Sequence, residues 1–325
     1  MARPSGEREQ LTLFRALPIE DMAPRDAQDL MAYPFFSLAK SRRVVPIRFD
    51  AGAVSLTVEG VPEHGIATIW DADVLIWAAS QIVQARDEGR PTSRLVAATP
   101  YEILRFAQRG TGRTEYLALR ASLDRLQSTT VQTSIRQAGR RMHRFSWINE
   151  WREHVRPDGR SDGIELILPD WFYSGVIDNA LVLTLDRTYF QLTGGIERWL
   201  YRLVRKHGGR QRHGWRFELR YLHAKSGCLQ RYRDFVLHLR ALAQRQALPG
   251  YRLVVERIGT AEWLTFRRDA CDELSTETWD EAVDGVGTDS GDRRRRAREI
   301  DGARLGRSPA PNLLEAAPRN DSGPS

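Results

Sequence analysis

Lysine is scarce in this chain. Of 49 basic residues only Lys40, Lys206 and Lys225 are lysines, so nearly all the positive charge is guanidinium, a planar, permanently charged fork suited to phosphates and guanine edges. A GC-rich genome gives the same bias. Cysteine is scarce too: Cys228 and Cys271 cannot build a disulfide framework and lack the spacing of a zinc site, which fits a reducing compartment. The longest apolar run, Val74 to Ala79, falls far short of a membrane span, and Met1 to Gln10 carries no apolar stretch of a secretion signal. A cytoplasmic protein is expected. Enzyme signatures are missing as well. There is no G-x-x-x-x-G-K-[ST] loop, Gly110-Thr111-Gly112 lacks the third glycine of a dinucleotide fingerprint, and the seven histidines include no H-E-x-x-H pair. Gly194-Gly195 at a helix start could hold a phosphate, the plainer reading being a tight turn. No catalytic residue, metal or cofactor is expected, and no enzymatic activity.

What is present suggests a folded, basic protein. At 325 residues, 41% apolar and 9% aromatic, the chain is long enough for two packed domains. Its net charge of +7 is unevenly placed. Residues 270–325 hold 8 basic and 12 acidic side chains, and with no sustained apolar period they read as a disordered tail, the run Arg293 to Arg296 being a solvated charge cluster. Residues 1–31 read as a flexible arm with one apolar cluster, Leu11, Leu13 and Phe14.

Between arm and tail the apolar periods mark elements. Arg43 to Phe49 and Ala53 to Val58 read as a hairpin around Asp50-Ala51-Gly52. Trp70 to Glu88 has a helical period, with Asp71 and Asp73 in its first turn, where carboxylates suit the helix dipole. Thr99-Pro100-Tyr101-Glu102 combines an N-cap, a Pro at the first helical position and a capping-box Glu. A third helix runs from Arg113 to Gln127, and Thr129 to Arg136 with Met142 to Ile148 reads as a hairpin. The order then recurs: a helix over Gly194 to His207, whose polar side carries Arg198, Arg202 and Arg205; a short helix over Leu219 to Lys225; a long one over Leu229 to Arg245; and a hairpin from Tyr251 to Arg267. Ile164 to Leu168 and Leu181 to Leu185 read as linking strands, and Phe145, Trp147 and Trp151 as core in preference to a base-stacking face.

Helix, turn, helix and hairpin make the winged-helix arrangement, in which the third helix enters the major groove and the hairpin straddles the backbone. Residues 99–148 hold nine basic against three acidic side chains, and residues 193–268 hold 17 against five; such basic patches are the footprint of phosphate binding. The candidate DNA contacts are Arg113, Arg120, Arg125, Arg136, Arg140, Arg141 and Arg144 in the first unit, with Arg120 placed to read a guanine edge, and Lys225, Arg231, Arg233, Arg240 and Arg245 in the second.

Several longer blocks, Pro34 to Lys40, Ala67 to Asp73, Arg109 to Gly112, Phe145 to Trp151 and Leu192 to Tyr201, resemble the replication initiator protein A family of bacterial plasmids. The resemblance runs from about residue 30 to residue 268. It implies an initiator that binds repeated sites in double-stranded origin DNA, helps open the duplex and brings in host replication proteins, a helicase among them. In that context Gln10, Leu11, Leu13 and Phe14 look like the Gln-Leu-x-Leu-Phe peptide that inserts into the bacterial sliding clamp. The same residues could equally dock on the chain's own first domain.

The expectation is therefore an α+β protein of two tandem winged-helix domains: a flexible arm over 1–31, a first domain with an N-terminal β-hairpin over 32–170, a second over 171–268 and a disordered tail over 269–325. The expected function is plasmid replication initiation. The same architecture would serve a transcriptional regulator that represses its own gene, or an adaptor that binds no specific DNA.

Overall fold

The N-terminal segment is built into the fold from residue 6 onward. In the computed structural model, which describes residues 6–137, 141–157, 161–178, 181–208 and 214–269, Glu7–Gln10 is a 3-10 turn and Leu13–Arg15 is a strand (β1). Strand β1 runs parallel to Leu95–Ala98, Phe14 lying opposite Val96. Ion pairs fasten the entry to it: Glu7 to Arg94 at 2.7 Å, and Arg8 to Glu150 at 2.9 Å and to Glu165. Arg25–Ala27 (β2) and Gln28–Ala32 (α1) follow. The expectation of a flexible arm is thus corrected: an open sheet edge accepts β1, and Phe14, 7% exposed, is its buried anchor, while Leu13 stays 37% exposed. Phe14→Ala is expected to cost roughly 3 kcal/mol in urea unfolding, as for a buried Phe truncated to a cavity. Leu13→Ala should cost much less.

Ile47–Ala51 (β3) and Val54–Glu59 (β4) form the expected hairpin, with Val54, Leu56 and Val58 turned inward. Ala72–Asp87 (α2) is buried almost all round, which makes it the central helix of the first half. Leu95–Ala98 (β5) leads into Pro100–Phe106 (α3), where the capping box forms as the sequence demands: Thr99 Oγ1 accepts from Glu102 N–H, and the Glu102 carboxylate accepts from Thr99 N–H. Arg113–Ser128 (α4) buries Leu119, Ser122, Leu123 and Leu126.

After α4 come Thr130–Thr133 (β6), His143–Ser146 (β7), Glu150–Val155 (β8) and Ser161–Ile167 (β9). Here the structure departs from the reading of one hairpin. Strands β6 and β7 pair with each other, and β6 pairs with β4, so that they extend the first hairpin into a sheet of order β3-β4-β6-β7. The hairpin that returns to the helices is β8–β9, whose second strand pairs with β5 in the order β1-β5-β9-β8. Its first strand, Glu-Trp-Arg-Glu-His-Val, is mostly exposed or half-buried and so lacked the apolar alternation that marks a strand.

Asp170–Ile177 (α5) and Val182–Thr184 (β10, paired with β2) lead to Gly195–Gly208 (α6), Trp215–Glu218 (β11), Leu219–Ser226 (α7), Tyr232–Gln244 (α8), Tyr251–Ile258 (β12) and Ala261–Arg268 (β13). The last sheet has the order β11-β13-β12. Both halves therefore share one plan: helix, strand, helix, helix, hairpin, with the lone strand paired to the hairpin's second strand.

Aromatic stacks build the core of the first half, and buried ion pairs join it to α6. Phe36 stacks on Trp147 at 5.1 Å and Phe145 on Trp171 at 4.7 Å between ring centres, so Phe145 and Trp147 are core, as expected. Arg202 of α6 donates to Asp26 of β2 at 2.7 Å, both side chains 1% exposed, and Arg198 donates to Asp73 of α2 at 2.8 Å. The face of α6 read as its polar side is therefore interior at Arg198 and Arg202. Burial pushes the Asp26 and Asp73 carboxyls up, opposed by the attached arginines. Gly195 is there for close approach: a Cβ would lie 2.0 Å from the Leu38 carbonyl oxygen, a packing role that neither the phosphate reading nor the tight-turn reading contained. Among the described residues, no helix is long and apolar enough to cross a membrane. The tail lies outside the described residues beyond Asp269.

Candidate nucleic-acid interface

In the first half, the structure ties several candidate arginines to carboxylates. Arg125 leaves α4 as a fork onto Asp71, Nε to Oδ2 and Nη2 to Oδ1 at 2.7 Å each. Ser122 donates to the same carboxylate, and the hydrogen bonds from Arg125 to Asp71 push the Arg125 pKa up. Asp71 is thus a buried anchor between α2 and α4. Arg120 reaches Glu153 on β8 at 2.7 Å, linking α4 to the hairpin. Arg136 lies 3.7 Å over the Trp171 ring and pairs with Asp29 at 3.0 Å; burial pulls its pKa down. Gly175 makes room for it, since a Cβ there would meet Arg136 Nη1 at 2.1 Å. Arg125 is therefore a packing residue, a correction to its reading as a phosphate contact, while Arg136 is an exposed residue whose guanidinium is held between Trp171 and Asp29. Arg113, Arg141 and Arg144 are exposed, and Arg140 lies outside the described residues.

Beside α4 the structure opens a pocket of about 630 Å3, lined among others by Lys40, Arg42, His64, Trp70, Arg109 and Ala118. Lys40 Nζ sits 5.5 Å from the Trp70 ring centre. None of these was a sequence candidate, because all but Ala118 of α4 come from three loops and only the fold gathers them.

The second half is different. Helix α8 buries Phe235, Val236, Leu239, Leu242 and Ala243, which leaves Arg233, Leu237, Arg240 and Gln244 as one exposed outer stripe at helical spacing. Arg231 is exposed at the helix N-cap. Arg240 pairs with Glu262 and Arg245 with Glu197, both arginines remaining about half exposed. Alongside runs a groove of about 310 Å3 against β12, lined by Arg240, Ala243, Gln244, Leu253, Val254 and Val255. Exposed Arg216 stacks 5.2 Å over Trp263, and exposed Arg220 stacks 4.9 Å over Tyr232. These two went unpredicted, since a strand and a short helix gave no polar face to read.

Lys225 is the clear exception among the second-half candidates. It is 1% exposed, donates to the Tyr221 hydroxyl at 3.0 Å and lies within 6 Å of the rings of Tyr33, Phe49 and Tyr221. Its role is to join α7 to the first half through cation–π contacts, and it is removed from the DNA set. Gln10, Leu11, Leu13 and Phe14 lie on and just before β1, with Phe14 directed into the first half.

The chain is a mixed α+β fold in which one helix-and-hairpin plan occurs twice, with exposed arginines on each copy. Sequence comparison goes further. The chain matches the family described as Replication initiator protein A over residues 25–253, most of its length, and it belongs to that family. It is similar to a putative replication protein of Wigglesworthia glossinidia brevipalpis, 27% identical over 228 residues, which cover 69% of this chain and 82% of that one. Its fold is similar to a crystal structure of domains 2 and 3 of RctB, with a TM-score of 0.54 at 15% identity, covering 74% of this chain and 97% of that one. A role in replication initiation follows from the family.

Proposed function

We propose that the chain initiates plasmid replication by binding repeated sites in double-stranded origin DNA and recruiting host replication proteins, without catalysis of its own. The two repeated units, residues 72–167 and 195–268, are read as winged helices, with α4 and α8 as the groove-facing helices and β8–β9 and β12–β13 as the wings. The observation that carries the reading is the outer face of α8. Its inner face is fully used in packing, while Arg231, Arg233 and Arg240 are left exposed around Leu237. That is the geometry a groove-reading helix needs. The first unit contributes exposed Arg113, Arg141 and Arg144 to phosphate contacts, with Lys40 and Arg42 beside it, while Arg120, Arg125 and Arg136 are held by carboxylates. Host-protein recruitment through residues 10–14 would require β1 to leave the sheet.

A replication assay separates initiation from simple gene regulation. The gene with its flanking DNA is joined to a resistance marker that has no other origin. An initiator sustains the marker in a bacterial host, and a stop codon early in the gene abolishes it. Loss of the marker in both cases, with the intact protein repressing a reporter behind its own promoter, would make the chain a regulator.

A further inference from the structure

The outer face of α8 sorts its side chains by charge. At helical periodicity Asp234, Leu237, Ala241 and Gln244 fall within about 80° of arc, and all four are exposed. None of them is cationic. The arginines stand to either side of this strip: Arg233 and Arg240 on one flank, and on the other Arg231 and Arg245, at the two ends of the helix. Arg240 pairs with Glu262 of β13 and Arg245 with Glu197 of α6, so both guanidinium groups lean toward neighbouring elements. Leu237, in the middle of the strip, is 51% exposed. The fold makes little use of it, because Phe235, Val236, Leu239, Leu242 and Ala243 carry the packing of α8.

A helix laid in a major groove meets base edges with its centre and the two backbones with its flanks. Arginines on the flanks bind phosphates, contacts that position a protein and carry no sequence information. What the centre can read then follows from its chemistry. Leu237 and Ala241 have no side-chain hydrogen-bonding group, and the apolar feature that a base pair presents in the major groove is the thymine 5-methyl group. Asp234, at the N-terminal end of the strip, repels phosphate and so belongs over the bases as well. From Asp234 to Gln244 the strip is about 15 Å long, which spans about four base pairs at about 3.4 Å each.

We propose that Leu237 and Ala241 read thymine methyl groups in the major groove, and that Leu237 is the specificity-determining residue of α8 while the flanking arginines supply affinity. This rests on the reading of α8 as the groove-facing helix and names what that helix recognises.

The test starts with the full chain selecting a short duplex from a random-sequence pool. Each thymine of the selected duplex is then replaced in turn by deoxyuridine, which pairs identically and lacks only the methyl group. One or two replacements are expected to weaken binding of the native chain about fourfold each, as for one buried carbon withdrawn from an apolar contact. Leu237→Ala should weaken binding to the unmodified duplex about tenfold, remove the sensitivity to at least one of those replacements and leave the salt slope unchanged. Leu237→Met keeps the apolar contact and should keep the sensitivity. Because Leu237 is exposed, both variants should fold. A pool that yields no preferred sequence overturns the proposal, as does deoxyuridine sensitivity that persists undiminished in Leu237→Ala. Native binding indifferent to every replacement also overturns it. In that case a loss of affinity on replacing Arg231, Arg233 and Arg240 by Ala keeps α8 on DNA and only the methyl reading fails, whereas unchanged affinity in that variant removes α8 from DNA and the reading of the helix with it.

Discussion

Replacing Arg231, Arg233 and Arg240 together by Ala is expected to lower affinity for origin DNA about a hundredfold near 0.15 M salt, and to flatten the salt dependence by roughly 2.7 units, three phosphate contacts at about 0.9 each. The size follows from where these side chains stand. All three are exposed, and the pair from Arg240 to Glu262 is at the surface, where such a bridge contributes little to stability and yields readily to a phosphate. The fold should therefore survive the substitution, with the melting temperature moving by a few degrees at most. Titrations at several salt concentrations give both numbers. A slope unchanged from the native protein would mean that α8 faces something other than DNA.

Asp26→Ala carries the largest expected loss of stability, about 4 kcal/mol by urea unfolding, the usual result of removing one partner from a buried ion pair. Arg202 is the reason. Its Nη1 and Nη2 are buried with no hydrogen-bond partner among the described residues, and its Nε bond to Asp26 is the one hydrogen bond that compensates the desolvated guanidinium. Loss of Asp26 leaves a charge with neither water nor carboxylate. Arg202→Met added to Asp26→Leu removes both charges and should recover most of the loss. A cost below about 1 kcal/mol for the single change would show that water reaches Arg202. Because the pair joins α6 to β2, the single variant should also loosen the second unit from the first, readable as lowered protection of α6 amides in hydrogen exchange.

Much of this architecture was legible in local chemistry. The capping box at Thr99 and Glu102, the inward alternation of Val54, Leu56 and Val58, and the apolar stripe of α8 each depend on residues a few positions apart, and each formed as read. What was not legible depends on partners far along the chain. Arg198 and Arg202 sit opposite an apolar stripe, which in one helix alone means solvent. Only the fold brings Asp73 and Asp26, 125 and 176 residues away, onto that second face. Arg125 is the same case, since Asp71 suits a helix N-terminus on its own and nothing local announces its partner on α4. The segment around Phe14 was misread for a related reason: a three-residue strand has no period to detect, and its stability comes from the edge of β5 and from Arg8 and Glu7. For the candidate site, the sequence identified charge density well and accessibility poorly. Arg231, Arg233 and Arg240 stood in the same list as Lys225, and burial alone separates them.

The most direct measurement of the central claim is a DNase I footprint of the full chain on the DNA flanking its own gene, made alongside the Arg231, Arg233 and Arg240 triple variant. Regularly spaced protected repeats with the native protein, lost at the same concentration with the variant, are the predicted result. Protection spread evenly over the fragment, or repeats protected equally by both proteins, would contradict the assignment of origin recognition to α8.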